Sequence, residues 1–467
     1  MSAGMAGGSA PVAATRTVLL ALVVAVPLAV APGASPTRSY PRYLLVVAGA
    51  AAVTAIALAG AVAGRRRPAW PKGLQWAVLA LVGWTAVCTL FSDDLGTAVG
   101  GFPGSYNGLS TVGALAVLFF AATSLGPGDG RRLLAALWFG AGGAVSLYGL
   151  VQLAERLVGP PGRGWDLAPP ATAPSSISST LGNPNHLAGF AAMVLPIGAV
   201  LWAVSDNRRV RRLTAVMAAV LVVELVVTGS RGGWVAVLTA GATLAVLFRR
   251  ELASFRGRGL RRTALVTGVL VATALALGAL GVAKRNLGEV GDLGAGSTLD
   301  LRLQLWRIAG RMAAAHPVGG VGPDGFASAF PNHVTEQFAD RFGAFSVATD
   351  AHNLFATAAA DLGLPGLAAL LWLVGAAGRE TARGWRRLAV AAGQGDPGAR
   401  ADRLLMGGAA AGLVGYLVQA SSNTRPVSLS FVAWMLLAVT CVLGGPRQGP
   451  PRREAPRPTA VPALGGR

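Results

Sequence analysis

Apolar runs of about twenty residues recur along most of the chain, and they limit what it can fold into more than any other feature. A helix of about 20 apolar residues crosses the ~30 Å hydrocarbon core of a bilayer. Of all residues, 53% are hydrophobic and 13% are charged, a balance that a water-soluble globule does not need. The sequence therefore predicts an all-α polytopic membrane protein.

The runs predict about twelve transmembrane helices. They cover residues 17–32, 43–64, 75–91, 108–125, 134–156, 186–204, 213–229, 232–248, 263–282, 353–377, 403–420 and 427–445. The chain is thus expected to comprise an N-terminus (1–16), a bundle of about nine spans (17–282), a long loop (283–351), a bundle of about three spans (352–445) and a disordered tail (446–467).

Arginine clusters fall in every second connection between the spans. The main clusters lie at 65–67, 208–212, 249–262 and 379–403. Because short cytoplasmic loops carry the excess of Arg and Lys, we place this side and both termini in the cytoplasm. The net charge of +20 follows this topology. Without interleaved aromatic residues or a nucleic-acid motif, it does not indicate nucleic acid as a partner.

The opposite, external side carries the unusual polar features. The connection from Lys284 to Asp350 is far longer than the others and mixes acidic, basic, histidine and aromatic residues, so we expect it to fold over the outer end of the bundle. All four histidines fall on or next to this side. A functional site is therefore expected there.

Two motifs lie at predicted helix starts on the external side. The stretch 179–189 contains Asn183, Asn185 and His186, which could cap a helix or contact a substrate. The stretch 228–234 is a tight turn around Arg231. This arginine could extend to lipid headgroups, but Glu224 lies seven residues earlier and is predicted to share its helical face. An intramembrane carboxylate needs such a partner or a cavity, so a functional Arg231 is favoured.

Two further motifs flank the end of the long loop. Arg302 and Trp306 fit a short amphipathic helix at the interface, followed by a Gly/Pro-rich turn at 315–326 that lacks the ending of a phosphate-binding loop. His352 and Asn353 then begin a span, and nine residues separate Asn353 from the Gly363-Leu-Pro-Gly366 sequence. On its own, His352 could equally be a helix cap or an interfacial anchor.

In this order, the four motifs resemble the O-antigen ligase and O-antigen polymerase superfamily of bacterial envelope glycosyltransferases. The resemblance extends over 43–445 and is strongest over 179–366, with the His352–Gly366 spacing its most specific part. In that family a histidine follows a long periplasmic loop, and two outer-face arginines are essential. The resemblance implies a GT-C-like fold with one long structured external loop, a location in the bacterial cytoplasmic (inner) membrane, and a donor glycan carried on undecaprenyl diphosphate.

The resemblance also implies roles for individual residues. Arg231 and Arg302 would hold the diphosphate, and His352 would be the general base, without a metal or another cofactor. Arg307 and Arg311 are reserve candidates for the second phosphate contact. The other expected substrate-binding residues are Asn183, Asn185, His186, Asn353 and Glu224. The same motifs serve ligases, chain polymerases and protein O-oligosaccharyltransferases, so the acceptor hydroxyl could belong to a glycan, a lipid or a protein.

A lipid-linked glycan transporter or flippase is the alternative from a different class. It would also have about twelve spans, but it should place ionisable residues near the membrane midplane. Glu224 and Asp361 are the main candidates. Because the remaining charges gather on one face, the sequence favours an enzyme.

Overall fold

The computed structural model describes residues 10–30, 39–62, 72–158, 177–249, 298–343 and 346–446. Every regular element within these ranges is a helix. The predicted span 263–282, the start of the predicted long loop at 283–297 and the predicted tail from 447 onward lie outside the described residues.

The α-helices follow one another with short connections in most of the described chain. In chain order they are α1 (Ala10–Leu28), α2 (Ser39–Val62), α3 (Lys72–Leu90), α4 (Leu95–Gly100), α5 (Leu109–Thr123), α6 (Pro127–Ala135), α7 (Gly143–Val158), α8 (Pro184–Val204), α9 (Arg208–Thr228), α10 (Arg231–Leu247), α11 (Thr298–Ala315), α12 (Phe326–His333), α13 (Glu336–Phe342), α14 (Leu354–Gly393), α15 (Pro397–Ala420) and α16 (Val427–Gly444). A π-helix, Ala136–Gly142, joins α6 to α7.

By length and composition, eight helical segments of the described chain could cross a membrane: α1, α2, α3, the continuous α6–α7 segment, α8, α14, α15 and α16. The apolar helices α5 and α10 are shorter, and α9 starts with an arginine cluster. The prediction of an all-α polytopic membrane protein is confirmed. Each predicted span in the described residues coincides with a helix.

One predicted boundary is wrong, because α14 continues sixteen residues beyond the expected end of its span at 377. The extension is polar, and its side chains still have partners. Arg387 donates to Glu380 at 2.7 Å and to the carbonyl of Gly444 at the end of α16 at 2.9 Å. A helix satisfies its own backbone, so the helix does not have to end where hydropathy falls.

The bundle is built around α16 and α8. Almost every residue of α16 is buried, as expected of an apolar helix surrounded by other helices. Helix α15 lies close against α8 because glycines face the contact: a Cβ at Gly415 would stand 2.8 Å from the carbonyl oxygen of Ala192, and one at Gly412 would clash with Met193. Small residues allow this backbone approach, which favours helix association in membranes.

The described part of the long loop folds into three helices with their own core. Leu305, Ile308 and Met312 on one face of α11 pack against Phe330 of α12 and Phe338 of α13. The opposite face of α11 is exposed. The predicted amphipathic helix is therefore confirmed, and residues 298–343 of the loop form a structured unit.

A kink in α14 anchors this unit to the bundle. Gly363 has φ 68°, a conformation that L-residues other than glycine rarely adopt. The kink leaves backbone groups free to bond the 317–322 turn: the N–H groups of Val321 and Gly322 donate to the carbonyls of Ala360 and Asp361, at 2.8 and 3.0 Å. The N–H of Leu364 donates back to Pro317 at 2.8 Å. Gly363, ten residues after Asn353, thus allows the loop unit to dock onto α14.

Candidate functional site

Arg231 begins α10 at the same end of the bundle as the start of α8. Helix α9 ends at Gly229, which is left-handed, and Ser230 caps α10 by accepting from the N–H of Gly233 at 3.2 Å. The Ser230 hydroxyl donates to Asn185 Oδ1 of α8 at 2.7 Å. The predicted turn is confirmed, and it leaves the Arg231 side chain exposed.

The expected pairing of Glu224 with Arg231 is wrong. The two residues do not share a helical face, because the chain reverses between α9 and α10 at residues 229–230. Glu224 instead points at α7, where a Cβ on Gly149 would collide with its carboxylate. It is fully buried, and its oxygens have no hydrogen-bond partner among the described residues.

Asn423, in the connection between α15 and α16, joins the two arginine segments. Arg302 Nη2 of α11 donates to Asn423 Oδ1 at 3.2 Å. On the other side, a Cβ at Gly232 would stand 2.8 Å from Asn423 Nδ2, so only glycine lets α10 approach so closely. The side chain of Asn423 is buried. Asn423 therefore contacts α11 through Arg302 and α10 at Gly232, the residue after Arg231.

Arg231 and Arg302 form a cationic pair, and neither makes an ion pair with a carboxylate of the described residues. Burial, and next the positive charge of Arg231, lower the pKa of Arg302 from its ordinary value. An arginine nevertheless stays protonated at any physiological pH. The Nε of Arg302 is buried and has no hydrogen-bond partner in the part of the chain that the structure describes. Two close guanidinium groups with spare donors are suited to a doubly charged anion.

His352 lies beside this pair and is held by Asp350. The backbone N–H of His352 donates to Asp350 Oδ1 at 2.7 Å, and its ring Nδ1 lies 3.2 Å from the same oxygen. The backbone of His352 is left-handed, with φ 50°. The carboxylate therefore stabilises both the unusual backbone and the ring orientation of His352.

The Asp350 carboxylate also sets the ionisation of the ring. Burial alone would lower the pKa of His352, but the hydrogen bond and charge of Asp350 outweigh it and raise the pKa above 6.5. The effect is mutual: burial favours the neutral Asp350 carboxyl, but the hydrogen bond and charge of His352 lower its pKa. The positive charge of Arg302 also acts on His352 and opposes its protonation, so the ring lies near Arg302.

Asn353, and not His352, caps the following helix. Asn353 Oδ1 accepts from the N–H groups of Phe355 and Ala356 at 2.9 and 3.0 Å. The interpretation of His352 as a helix cap is therefore wrong. Asn183 likewise caps α8, with Pro184 in its first turn, as the sequence predicted. A substrate contact by either asparagine stays a prediction.

The remaining predicted residues divide into two groups. His186 and Asn185 lie at the site: His186 Nε2 is 2.8 Å from the Thr424 hydroxyl, and the carbonyl of Asn185 accepts from Gln419 at 3.0 Å. Arg307 does not join them. It lies about 140° round α11 from Arg302 and donates to Gln337 of α13 at 3.2 Å.

Arg425, two residues after Asn423, lies near the site although the sequence did not predict it as a site residue. Its guanidinium lies 3.7 Å from Asp361, near the start of α14. Asp361 thus faces a cation at the site end of α14, which weakens its candidacy as a transporter's midplane carboxylate. The sequence feature that could have indicated Arg425 is the polar run Ser421-Ser-Asn-Thr-Arg-Pro426 between two apolar spans.

A comparison with protein families identifies one match. Residues 217–371 match the family described as O-Antigen ligase, and this stretch contains Arg231, Arg302, His352 and the Gly363–Gly366 kink. No curated protein matches the chain. The cationic pair, the neighbouring histidine and the docked loop all lie within the matched segment or against it. Over residues 217–371 the chain is therefore similar to the O-antigen ligase family, which supports the resemblance that the four motifs indicate.

Proposed function

We propose that this protein transfers a glycan from undecaprenyl diphosphate to an acceptor hydroxyl on the outer face of the bacterial cytoplasmic membrane. The observation that carries the proposal is that Asn423 bonds Arg302 and packs against Gly232, the residue after Arg231, close to the His352–Asp350 pair. The family match supports a membrane protein of the O-antigen ligase type.

The arginine pair is suited to the leaving group. A diphosphate presents several anionic oxygens, and a planar guanidinium can donate two parallel hydrogen bonds to them. As the bond between the anomeric carbon and the phosphate oxygen breaks, negative charge grows on the diphosphate. Fixed cations stabilise that charge most where water is excluded, and Arg302 is half-buried.

His352 is suited to take the proton of the acceptor. The acceptor oxygen forms a bond to the anomeric carbon while the diphosphate leaves with the bonding electrons, and the hydroxyl proton passes to the ring. The ring must be neutral beforehand. Since Nδ1 faces Asp350, the Nε2 atom is the one left to act as base. General-base catalysis contributes roughly 10²–10⁴-fold to such a step.

The test is a transfer assay with purified protein in proteoliposomes, given an undecaprenyl-diphosphate-linked glycan and candidate acceptors. We expect transfer that persists in EDTA, because the two arginines stabilise the charge that a divalent metal otherwise would. If EDTA abolishes transfer and Mg²⁺ or Mn²⁺ restores it, the arginine mechanism is wrong. If no acceptor is glycosylated and the donor stays intact, the proposed transferase activity fails.

A deletion strain separates the two members of the enzyme class. Full-length glycan chains that remain on the lipid indicate a ligase. Loss of long chains, with single repeat units remaining on the lipid, indicates a polymerase. Donor that accumulates on the cytoplasmic face supports the transporter alternative instead.

A further inference from the structure

Three of the chain's five tyrosines form a cluster at the predicted external end of the bundle. Tyr40 and Tyr43 lie one turn apart at the start of α2, and Tyr106 belongs to the connection between α4 and α5. The ring centroids are 5.3 Å apart for Tyr43 and Tyr106, 5.5 Å for Tyr40 and Tyr106, and 6.2 Å for Tyr40 and Tyr43. One aromatic surface, the tyrosine cluster, is thus assembled from two separate segments.

The backbone around Tyr106 is held in an unusual conformation. Tyr106 has φ 54°, in the left-handed region that non-glycine residues rarely adopt. The Thr111 hydroxyl donates to its carbonyl at 2.6 Å, and a Cβ at Gly101 would stand only 2.5 Å from its Cα. Close packing therefore maintains the strained backbone, and strain of this kind often occurs at ligand-binding sites.

The turn before α5 is also bonded to the candidate site. One carboxylate oxygen of Asp324, in the connection between α11 and α12, accepts from the N–H groups of Phe102 and Asn107 at 2.7 and 2.9 Å. The Asn107 side chain donates to the carbonyl of Arg425 at 3.2 Å. Arg425 belongs to the connection before α16, which also bonds Arg302. These bonds fix the turn, and with it the tyrosine cluster, relative to the loop unit.

The start of α2 lies near the candidate site as well. Arg42, between the two tyrosines of α2, is buried and donates to the carbonyls of Ala29 and Thr180. Its positive charge acts on the ring of His186, as does the charge of His352. Arg42 and His352 are therefore both within electrostatic range of one ring, and the tyrosine cluster lies at the same end of the bundle as the proposed base.

A sugar ring is the ligand that such a surface suits best. The face of a tyrosine ring carries negative potential, so the slightly positive C–H groups on one face of a pyranose stack against it. Tyrosine also offers a rigid surface at low entropic cost, and its hydroxyl can bond sugar hydroxyls. Tyr40 is 45% exposed and is open to a ligand. A tyrosine that only anchors a helix at the membrane interface needs neither stacked partners nor a strained turn.

We propose that the tyrosine cluster is a carbohydrate-binding subsite, which holds sugar rings of a glycan while its reacting end lies at the arginine pair and His352. This proposal rests on the proposed function, in which both the donor and the acceptor can carry sugars. The stacking chemistry is the same for either glycan, so transfer kinetics must tell them apart. The subsite contributes binding energy equally before and during the chemical step, and it therefore affects KM rather than kcat.

Glycan binding is measured without turnover, by isothermal titration calorimetry of the protein in nanodiscs. The probe is the free oligosaccharide released by mild acid from the host's polyprenyl-linked glycans. We expect Tyr40→Ala to weaken its binding about three- to tenfold, whereas Tyr40→Phe, which keeps the ring, should stay within about twofold of the wild type. Trp76→Ala is the matched control, because this tryptophan is 61% exposed near the predicted cytoplasmic end of α3 and should not affect binding.

A second variant guards against misfolding at position 40. Tyr40→Leu keeps apolar volume but lacks the ring, so it should lose binding as Tyr40→Ala does. The thermal unfolding midpoint of each variant shows whether it folds. If the wild type does not bind the oligosaccharide, or a folded variant without the ring binds it equally well, the carbohydrate subsite is wrong. A lower unfolding midpoint with unchanged binding would make the cluster an interfacial anchor and would also overturn the proposal.

Transfer kinetics identify which glycan the subsite holds. Tyr40→Ala should raise the KM of one glycan substrate about three- to tenfold and leave kcat unchanged. A rise for the lipid-linked donor assigns the cluster to the donor glycan, and a rise for the acceptor assigns it to the acceptor glycan. The two proposals fail separately: transfer by Tyr40→Ala with both KM values unchanged rejects the subsite alone. Oligosaccharide binding that depends on Tyr40, without any transfer, rejects the transferase alone.

Discussion

At the scale of single residues, the His352–Asp350 pair carries the most chemical information. A non-glycine residue with φ 50° is strained, and such strain often marks functional sites. Here the Asp350 carboxylate bonds the strained backbone and the imidazole ring together. It also raises the pKa of His352 above the ordinary value of 6.5. The neutral ring, which is the form that accepts a proton, therefore predominates only at a pH above this raised pKa.

The first prediction concerns the pH dependence of transfer. Because a base must be deprotonated, kcat/KM should fall as the pH drops through the raised pKa of His352. Asp350→Asn keeps an acceptor for the backbone N–H of His352 but removes the negative charge, so this acid limb should move to lower pH. The pH profile of transfer measures the shift. If the maximal kcat/KM of the variant is lower but its acid limb stays at the same pH, Asp350 has only a structural role.

The second prediction is loss of the base itself. His352→Asn should insert and fold, bind undecaprenyl diphosphate, and lose roughly 10²–10⁴-fold in transfer. Because Asn353 already caps α14, an asparagine at position 352 cannot compensate for the lost histidine by capping the helix. Single-turnover transfer and donor binding are measured in parallel. Near-normal transfer would end the general-base assignment, and loss of donor binding would make His352 a phosphate ligand.

The third prediction concerns the geometry of the arginine contacts. Arg231→Lys and Arg302→Lys should each reduce transfer by about 10²-fold, because a point charge cannot reproduce a bidentate phosphate contact. Arg307→Lys, on another face of α11, should change transfer little. The initial rates of the three variants decide the matter. If Arg307→Lys shows the large loss, the second phosphate contact lies there instead.

At the scale of secondary-structure elements, the kink of α14 links the loop unit to the site. The Gly363 backbone accommodates the 317–322 turn so closely that a Cβ would clash with the carbonyl of Val318. Helix α11, with Arg302, precedes that turn directly, and His352 lies two residues before the start of α14, the helix with the kink. The kink therefore helps to set the position of Arg302 relative to His352.

The fourth prediction is that Gly363→Ala lowers the free energy of unfolding by roughly 2–3 kcal/mol, because it combines a positive φ with a clash. Gly310→Ala is the matched control. A Cβ at Gly310, in α11, meets nothing within 4 Å, so that change should be neutral or stabilise by about 0.5–1 kcal/mol. Thermal unfolding in detergent compares the two. Equal midpoints would show that the kink does not depend on glycine.

At the scale of the whole molecule, the site draws together separate parts of the chain at one end of the bundle. The starts of α8, α10 and α14, the start of α11 and the connection before α16 all contribute to it. The predicted topology places this end outside the cell. The arrangement requires the 298–343 unit and the arginine clusters to lie on opposite sides of the membrane.

The fifth prediction tests that orientation with introduced cysteines. Glu336→Cys, on the loop unit, should react with an impermeant thiol reagent in intact cells, whereas Arg386→Cys should react only after lysis. Both side chains are exposed, and the native Cys88 and Cys441 are buried, which keeps the background low. The reverse labelling pattern would place the site on the cytoplasmic face and contradict the proposed function.

Features that depend on neighbouring residues were predictable from the sequence. Apolar runs of spanning length predicted the helices, and Asn183 before Pro184 predicted the start of α8. The turn at Arg231, the amphipathic α11 and the positions of His352 and Arg302 on the polar side were likewise apparent. These properties are local, since helix caps and hydropathy act within a few turns.

Contacts between distant residues were decided only by the tertiary structure. Asn423 lies 121 residues from Arg302, and no pattern in the sequence relates the two. The fold also turned Glu224 toward α7, gave Asn353 the capping role and brought Arg425 within 3.7 Å of Asp361. Helix periodicity defines which residues share a face within one helix, but it does not define which helices meet. That choice depends on packing, and at Gly232 and Gly363 it depends on close backbone approach.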